Sequence, residues 1–464
     1  MVFLCVTYLI RTINNIMSES TKNKQGIAIL IMAVLCLFAI DSVGQVKNYN
    51  VWLLSSGDIM DFNSGQVVVT EASGSISNRN WLSLSDDEGR LVLYGFCDIY
   101  DGEGNKICNI PAYYGGFGIR NPVASDSYYL FVSGVVRDEP SVSNFKMRHI
   151  FHVYKEDTSD SFFCDKIGDF NCDGSMVGGA NDEEVFFITA DWCDDNISVY
   201  VVCNNKVKCV QTVLNSCCQT IDENYGLRFN ADLSRLYIKS HSDGLFIFDF
   251  DLDSKTLGNE TFVAMDQLKA FDFSENGEYI YFLQGLRGEY TVSRCRESDL
   301  LNYSNIETIA TLTGKWGNHS GNWEDLQLAP DGNIYIGIYR WDKLSYISET
   351  DGECVFHEDE IKLSNPFGGR FPKMPRYQSS FKISKCSPTV APEYRGYPYT
   401  SISWDFGDGT PVVNDERPVH HYEKSGKYTV TMTAVFKNGI EKVVKKEIDV
   451  IGSKPLKIIM EDGF

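Results

Sequence analysis

Residues Trp404-Asp405-Phe406-Gly407-Asp408-Gly409 are followed by His421-Tyr422, by Gly426 and by the run Tyr428-Thr429-Val430-Thr431. An aromatic residue on a strand here leads straight into Asp-Gly turn chemistry. Glycine tolerates positive φ there, and aspartate bonds back to the local backbone. The later run alternates, so Tyr428 and Val430 fall on one face of a second strand and Thr429 and Thr431 on the other. Every residue of this motif builds a fold, and none of it carries a reaction.

The motif resembles the PKD domain, a small immunoglobulin-like β-sandwich that serves as a surface module in secreted proteins. The resemblance covers 383–451 and leaves 452–464 as a short tail. The rest of the chain must then form a separate core, because 464 residues exceed what one ordinary core organises. An aromatic content of 13% together with abundant glycine favours many strands and tight turns over helices. The formal net charge of −21 argues against nucleic acid as a partner, since a phosphate backbone demands a basic surface. A solvated acidic face and an affinity for divalent cations both remain open.

The N-terminal region reads as a targeting segment. An apolar run from Ile27 to Ile40 follows Lys22 and Lys24, and Ser42 and Gly44 supply the small residues of a cleavage site. The run is short for a membrane span and right for a secretory signal. A signal peptide over 1–44 is expected, cut between Gly44 and Gln45, so that no span remains after cleavage. Met17 precedes a polar, Lys-containing stretch and makes a better start than Met1, which marks 1–16 as a gene-model extension. Leu35 before Cys36 speaks against lipid attachment. The chain has 14 cysteines, and removing Cys5 and Cys36 with the leader leaves an even number, consistent with disulfides in an exported protein. Cys97 with Cys108, and Cys203 with Cys209, are candidate pairs across hairpins.

Between 48 and 382 short β-rich runs alternate with turn clusters, without a long amphipathic helix. The clearest copies are Leu227 to Ile238, Phe271 to Phe282 and Leu326 to Gly337, with Asn230, Ser274 and Ala329 at equivalent positions. Weaker copies fall at Leu82 to Tyr94 and around Ser125 to Val132. A four-stranded propeller blade takes roughly 40–50 residues, so this stretch holds six to eight blades. The expected architecture is all-β: an N-terminal β-propeller of about seven blades over 48–382, followed by an immunoglobulin-like PKD β-sandwich. The order Asn63-Ser64-Gly65, Phe186 to Trp192, Phe248 to Asp251, Leu326 to Gly332 and Pro375 to Phe381 resembles the secreted propeller-plus-PKD family of Bacteroidota, of the type associated with gliding motility or type IX secretion. Members often carry a further C-terminal sorting domain. With only 452–464 after the sandwich, that domain is expected to be absent.

Two constellations could carry chemistry. Asp169, Asn171 and Asp173, with Gly174 after them, match the first half of a calcium loop, whose spacing wraps oxygen ligands around a hard cation. The second half fails at Val177 and Ala180, and a polar hairpin turn explains the same residues. Trp316, His319, Trp323, Glu324 and Asp325 precede an innermost strand, where aromatic and polar groups could stack on and hydrogen-bond a sugar or peptide. Packing of the two tryptophans in the seam between blades is the alternative. A nucleophile elbow is missing, the seven histidines are scattered, and His420 and His421 read as packing groups beside Tyr422. The expected function is an exported, non-catalytic binding protein for glycan or protein at the cell envelope, with no cofactor other than calcium. A propeller hydrolase or lactonase-like enzyme is the alternative.

Overall fold

The computed structural model describes residues 49–450 apart from 72–81, 87–88, 96, 111–114, 125, 136–145, 157–158, 160, 172–173, 182–183, 192–195, 215–225, 241–243, 287, 315–323, 351–352, 378–379, 384–387, 396–398 and 436–440. Among the described residues, its first part contains seven sheets in chain order, each built from consecutive antiparallel strands, and the fourth also gains a parallel strand from 376–377. The first blade has three strands between Val51 and Glu71. The next six have four each, spanning Leu82–Asn109, Gly115–Asn171, Gly174–Leu214, Leu227–Ala264, Leu268–Thr313 and Asp325–Lys362. One short helix, Glu297–Leu300, interrupts the sixth blade. Among the described residues no helix is long and apolar enough to cross a membrane.

Position within a blade explains the sequence pattern. Innermost strands are covered on both faces by neighbouring blades, so Leu82–Ser85 and Asp325–Leu328 are buried at every residue. Outermost strands meet solvent on one face, and Lys206–Leu214 alternates accordingly. The repeat copies form the inner hairpins of the fifth, sixth and seventh blades. In each, Asn230, Ser274 or Ala329 closes the turn: its carbonyl accepts the amide of Leu233, Gly277 or Gly332. All three amide donors have positive φ. At Gly277 a Cβ would lie 2.7 Å from that of Ala231, so the turn needs glycine.

Buried apolar seams join the blades. Phe186 and Phe229 meet between the fourth and fifth blades, Tyr237 and Phe273 between the fifth and sixth, and Tyr281 and Leu326 between the sixth and seventh. The ring closes between the last and the first blade. There Trp52 packs against Tyr335 at 6.0 Å and Phe371 at 5.4 Å. Next to this seam, the amide of Ser364 donates to both carboxylate oxygens of Asp58, and Asn365 Nδ2 donates to the Ser56 carbonyl.

The sandwich uses the quoted motif as its core. Ser401–Asp405, Gly426–Val435 and Glu441–Val450 form one sheet, while Thr389–Val390 pairs with His420–His421. Ser380–Lys382, just before the expected start at 383, pairs with Glu393–Arg395 and brings Phe381 edge-on to Trp404 at 5.2 Å. Trp404 is fully buried and its Nε1 donates to the Asp415 carbonyl at 2.9 Å. Asp405 accepts the Gly407 amide, and a Cβ at Gly407 would meet the Thr429 carbonyl at 2.4 Å. Gly409 also has positive φ. Tyr422 donates its hydroxyl to the Phe406 carbonyl and stacks on Tyr428, near Gly426. His420 bonds Asp408 at 2.8 Å while stacking on Phe406, and His421 meets the Thr389 hydroxyl.

Candidate functional site

The innermost strands of a propeller line its central channel, and here the chain itself enters that space. After the seventh blade the backbone turns inward, and Arg376–Tyr377 adds a parallel strand to the free edge of Gly174–Ala180, the innermost strand of the fourth blade. Across the channel the same segment meets the sixth and seventh blades. The Arg376 guanidinium donates to Asp272 at 2.7 Å, Gln327 Nε2 donates to the Pro372 carbonyl at 2.6 Å, and the Phe371 amide donates to Asp325 at 2.9 Å. Lys373 Nζ reaches back to the Met176 carbonyl at 3.1 Å. Gly179 is required at the crossing, because a Cβ there would lie 2.5 Å from Phe186 and 3.0 Å from the Arg376 carbonyl.

Two arginines and two aspartates form the electrostatic centre. Arg228 lies 3.9 Å from Asp272 and 3.7 Å from Asp325, and all four side chains, including Arg376, are almost completely buried. Asp272 also accepts the amides of Phe273 and Leu328. Burial pushes the Asp325 carboxyl above its ordinary range, against the pull of Arg228 and of the Phe371 and Leu326 amides. Two arginines thus face two aspartates, and the cluster fastens the crossing segment to the sixth and seventh blades.

Sequence reasoning missed Arg228, Asp272 and Arg376 and placed Asp325 in a binding loop. A signal was present. Arg228, Asp272 and Gln327 occupy one position of the repeat, each a polar residue between two apolar ones on an innermost strand. Such a residue has only the channel to face.

The other candidate residues are dispersed. Trp316, His319 and Trp323 lie outside the described residues, whereas Glu324 accepts the Tyr290 hydroxyl at 2.7 Å. Asp169 sits within the strand Phe162–Asn171, which also contains Asn171, and Asp173 lies outside the described residues. Both Asp169 oxygens are engaged, one by His149 Nδ1 at 2.5 Å and the other by Lys166 Nζ at 2.8 Å. Burial works against its charge, but these two partners outweigh it and lower its pKa. Strand register separates the expected cysteine pairs: Cys209 stands opposite Tyr200, and Cys203 opposite Lys206. Cys108 stands opposite Ile99, while the Cys97 carbonyl accepts the Ile110 amide. One histidine does join a chain of polar groups on the seventh blade. His357 Nε2 is 2.9 Å from Ser348 Oγ, and its Nδ1 is 3.3 Å from Glu360.

Residues 393–450 match the family model of the PKD domain. Collagenase ColA of Clostridium perfringens (strain 13 / Type A) is 40% identical over 61 residues, which is 13% of this chain and 5% of the collagenase. Among solved structures, the PKD1 domain of the Vibrio cholerae metalloprotease PrtV is 24% identical and covers 16% of this chain and 95% of its own, with a TM-score of 0.15. The Cps50 (Swd1) β-propeller domain of Myceliophteria thermophila is 11% identical and covers 63% of this chain and 93% of its own, with a TM-score of 0.37. This chain therefore carries a PKD domain at 393–450 behind an all-β propeller.

Proposed function

We propose that this chain is an exported, non-catalytic binding protein of the bacterial envelope or cell surface. The propeller recognises glycan or protein, and the PKD sandwich acts as spacer or adhesion module. The filled channel carries this reading. A small ligand needs a concave site, and the space where a propeller offers one is taken by Phe371 to Tyr377, held by buried ion pairs and backbone bonds. Recognition then falls to loops and blade edges, a broad surface suited to a polymer. The PKD match and the resemblance to secreted Bacteroidota proteins support export, and the acidic balance of the chain disfavours nucleic acid.

The stretch of sequence before Asp325 is the first place to look for the ligand, since tryptophans such as Trp316 and Trp323 can stack on a sugar or peptide and His319 can hydrogen-bond it. Glycan and peptide arrays probed with the purified protein, with and without calcium, test the reading. Trp316→Ala and Trp323→Ala are expected to weaken capture at least tenfold. Failure to bind either array, or capture indifferent to both substitutions, would remove the basis for it.

A hydrolytic reading has one observation in its favour, the Ser348–His357–Glu360 chain, whose order is that of a nucleophile, a base and an orienting carboxylate. Covalent labelling of Ser348 by a fluorophosphonate would establish it. An unlabelled Ser348 leaves those three residues as a sheet-surface network, beside the Tyr346 ring that stacks on His357 at 4.2 Å.

A further inference from the structure

Two sulfurs meet on the rim between the second and third blades. Cys108 belongs to the outermost strand Lys106–Asn109, and Cys164 to the outermost strand Phe162–Asn171 of the next blade. Their Sγ atoms are 2.8 Å apart, although 56 positions separate them in the chain. A disulfide bond measures about 2.05 Å, so bond formation needs a shift of less than 1 Å. Both side chains are half-buried against the core that joins the two blades. The ladders fix them from behind: Cys108 stands opposite Ile99 and Cys164 opposite Val153, and both of those residues are fully buried. The sulfurs are thus presented by two sheets, not by loops free to drift apart. The PKD domain, a module shared with a clostridial collagenase, points to an oxidising compartment in which such a contact would not stay reduced.

We propose that Cys108 and Cys164 are joined by a disulfide that staples the second blade to the third. The oxidant is the disulfide of a thiol–disulfide oxidoreductase. The Cys108 thiolate attacks one sulfur of that carrier, forming a mixed disulfide and releasing the first carrier thiolate. Cys164 then gives its proton to solvent, and its sulfur attacks Cys108 Sγ and expels the second carrier thiolate. Two S–H bonds are lost, one S–S bond is formed, and the carrier disulfide is reduced to a dithiol. The close contact between the two sulfurs lowers the pKa of Cys108, and the balance of the reaction is the same whichever sulfur attacks first. Because the bond links strands already packed together, it restricts the unfolded chain while asking little of the folded one.

Digestion of the full chain without reductant, followed by mass spectrometry, tests the assignment. A peptide pair linking Cys108 to Cys164 is expected, lost on reduction and retained in Cys97→Ser. Each of Cys108→Ser and Cys164→Ser is expected to free one additional titratable thiol. Reductant should lower the melting temperature of the parent by several degrees and leave that of the double serine variant unmoved. Alkylation of both Cys108 and Cys164 in the unreduced protein would overturn the proposal, as would a linked peptide joining Cys108 to Cys97.

Discussion

Replacing Asp272 by alanine should loosen the segment that fills the channel. The Oδ1 atom of Asp272 accepts from Arg376 at 2.7 Å and from the Phe273 amide at 2.9 Å, while Oδ2 accepts the Leu328 amide at 3.0 Å. The Arg376 side chain is only 7% exposed, so water cannot stand in for the lost carboxylate. Removing one partner of a buried ion pair costs about 3–5 kcal/mol, because the other charge stays buried without compensation. Two backbone amides that lose their acceptor add about 1–3 kcal/mol each if the site does not relax. Relaxation has an obvious route, which is departure of the segment from the channel. The penalty is therefore limited by the free energy that holds the segment in place. Two measurements separate the cases. Denaturant unfolding reads the global loss, expected at about 3 kcal/mol or more. Hydrogen exchange at the Phe371 amide, which Asp325 accepts, reads local release and should accelerate well beyond the global change. A double-mutant cycle with Arg376→Met should give a coupling energy above about 1 kcal/mol. Additive single variants, with Phe371 exchange unchanged relative to global stability, would refute the view that this ion pair fastens the crossing segment.

Three further outcomes are expected. Trp404→Phe should cost more than Trp52→Phe in denaturant unfolding, by about 1–3 kcal/mol. Both indoles are fully buried, but Trp404 donates to the Asp415 carbonyl whereas Trp52 Nε1 has no hydrogen-bond partner among the described residues. For Asp408, burial opposes the charge, but the Thr410 hydroxyl and amide together with His420 outweigh it and hold the pKa below the ordinary value. That stabilisation is present above the unfolded carboxylate pKa of about 3.9 and is lost as pH falls through the lower folded value. Asp408→Asn should accordingly show a smaller loss of melting temperature than the parent between about pH 5 and pH 2. Finally, burial and the nearby Asp299 push the Cys295 thiol up to about 12, so iodoacetamide at pH 8 should label the exposed Cys203 and spare Cys295 until the protein is unfolded.

The parts of this fold that were legible in the sequence are those whose cause is local. Gly407 and Gly409 sit in turns that require positive φ, and Trp404 fills the core from the strand that precedes them, so their spacing speaks for the sandwich without help from the rest of the chain. Asn230, Ser274 and Ala329 recur because each closes the same inner hairpin. The role of the crossing segment in the channel escaped notice for the opposite reason. Phe371-Pro372-Lys373-Met374-Pro375-Arg376 belongs to no repeat, and its partners Met176, Asp272, Asp325 and Gln327 come from three different blades. Contacts of that kind have no period. Cys108 and Cys164 show the same limit: hairpin spacing pointed to Cys97, whereas the neighbour that counts belongs to the next sheet.

Many propellers close their ring by completing one blade with strands from both ends of the chain. Here the seventh blade takes all four strands from one continuous stretch, Asp325–Lys362, so among the described residues no shared strand locks the circle. The lock must come from the residues that follow. Ser364, Asn365 and Gly368 hydrogen-bond to Asp58, Ser56 and Ser55 at the edge of the first blade, and Phe367 and Phe371 then enter the seam beside Trp52. The same run of backbone continues into the channel as Pro372 to Tyr377 and reaches the first strand of the sandwich at Ser380. Ring closure, channel filling and the connection to the PKD domain are thus tasks of one uninterrupted segment. A perturbation that frees it at Asp58 removes an anchor of the ring and of the channel filling together. Asp58 is only 1% exposed, and its two oxygens hold the Ser364 amide at 3.1 Å, the first bond of a clasp that the two later contacts follow along the chain.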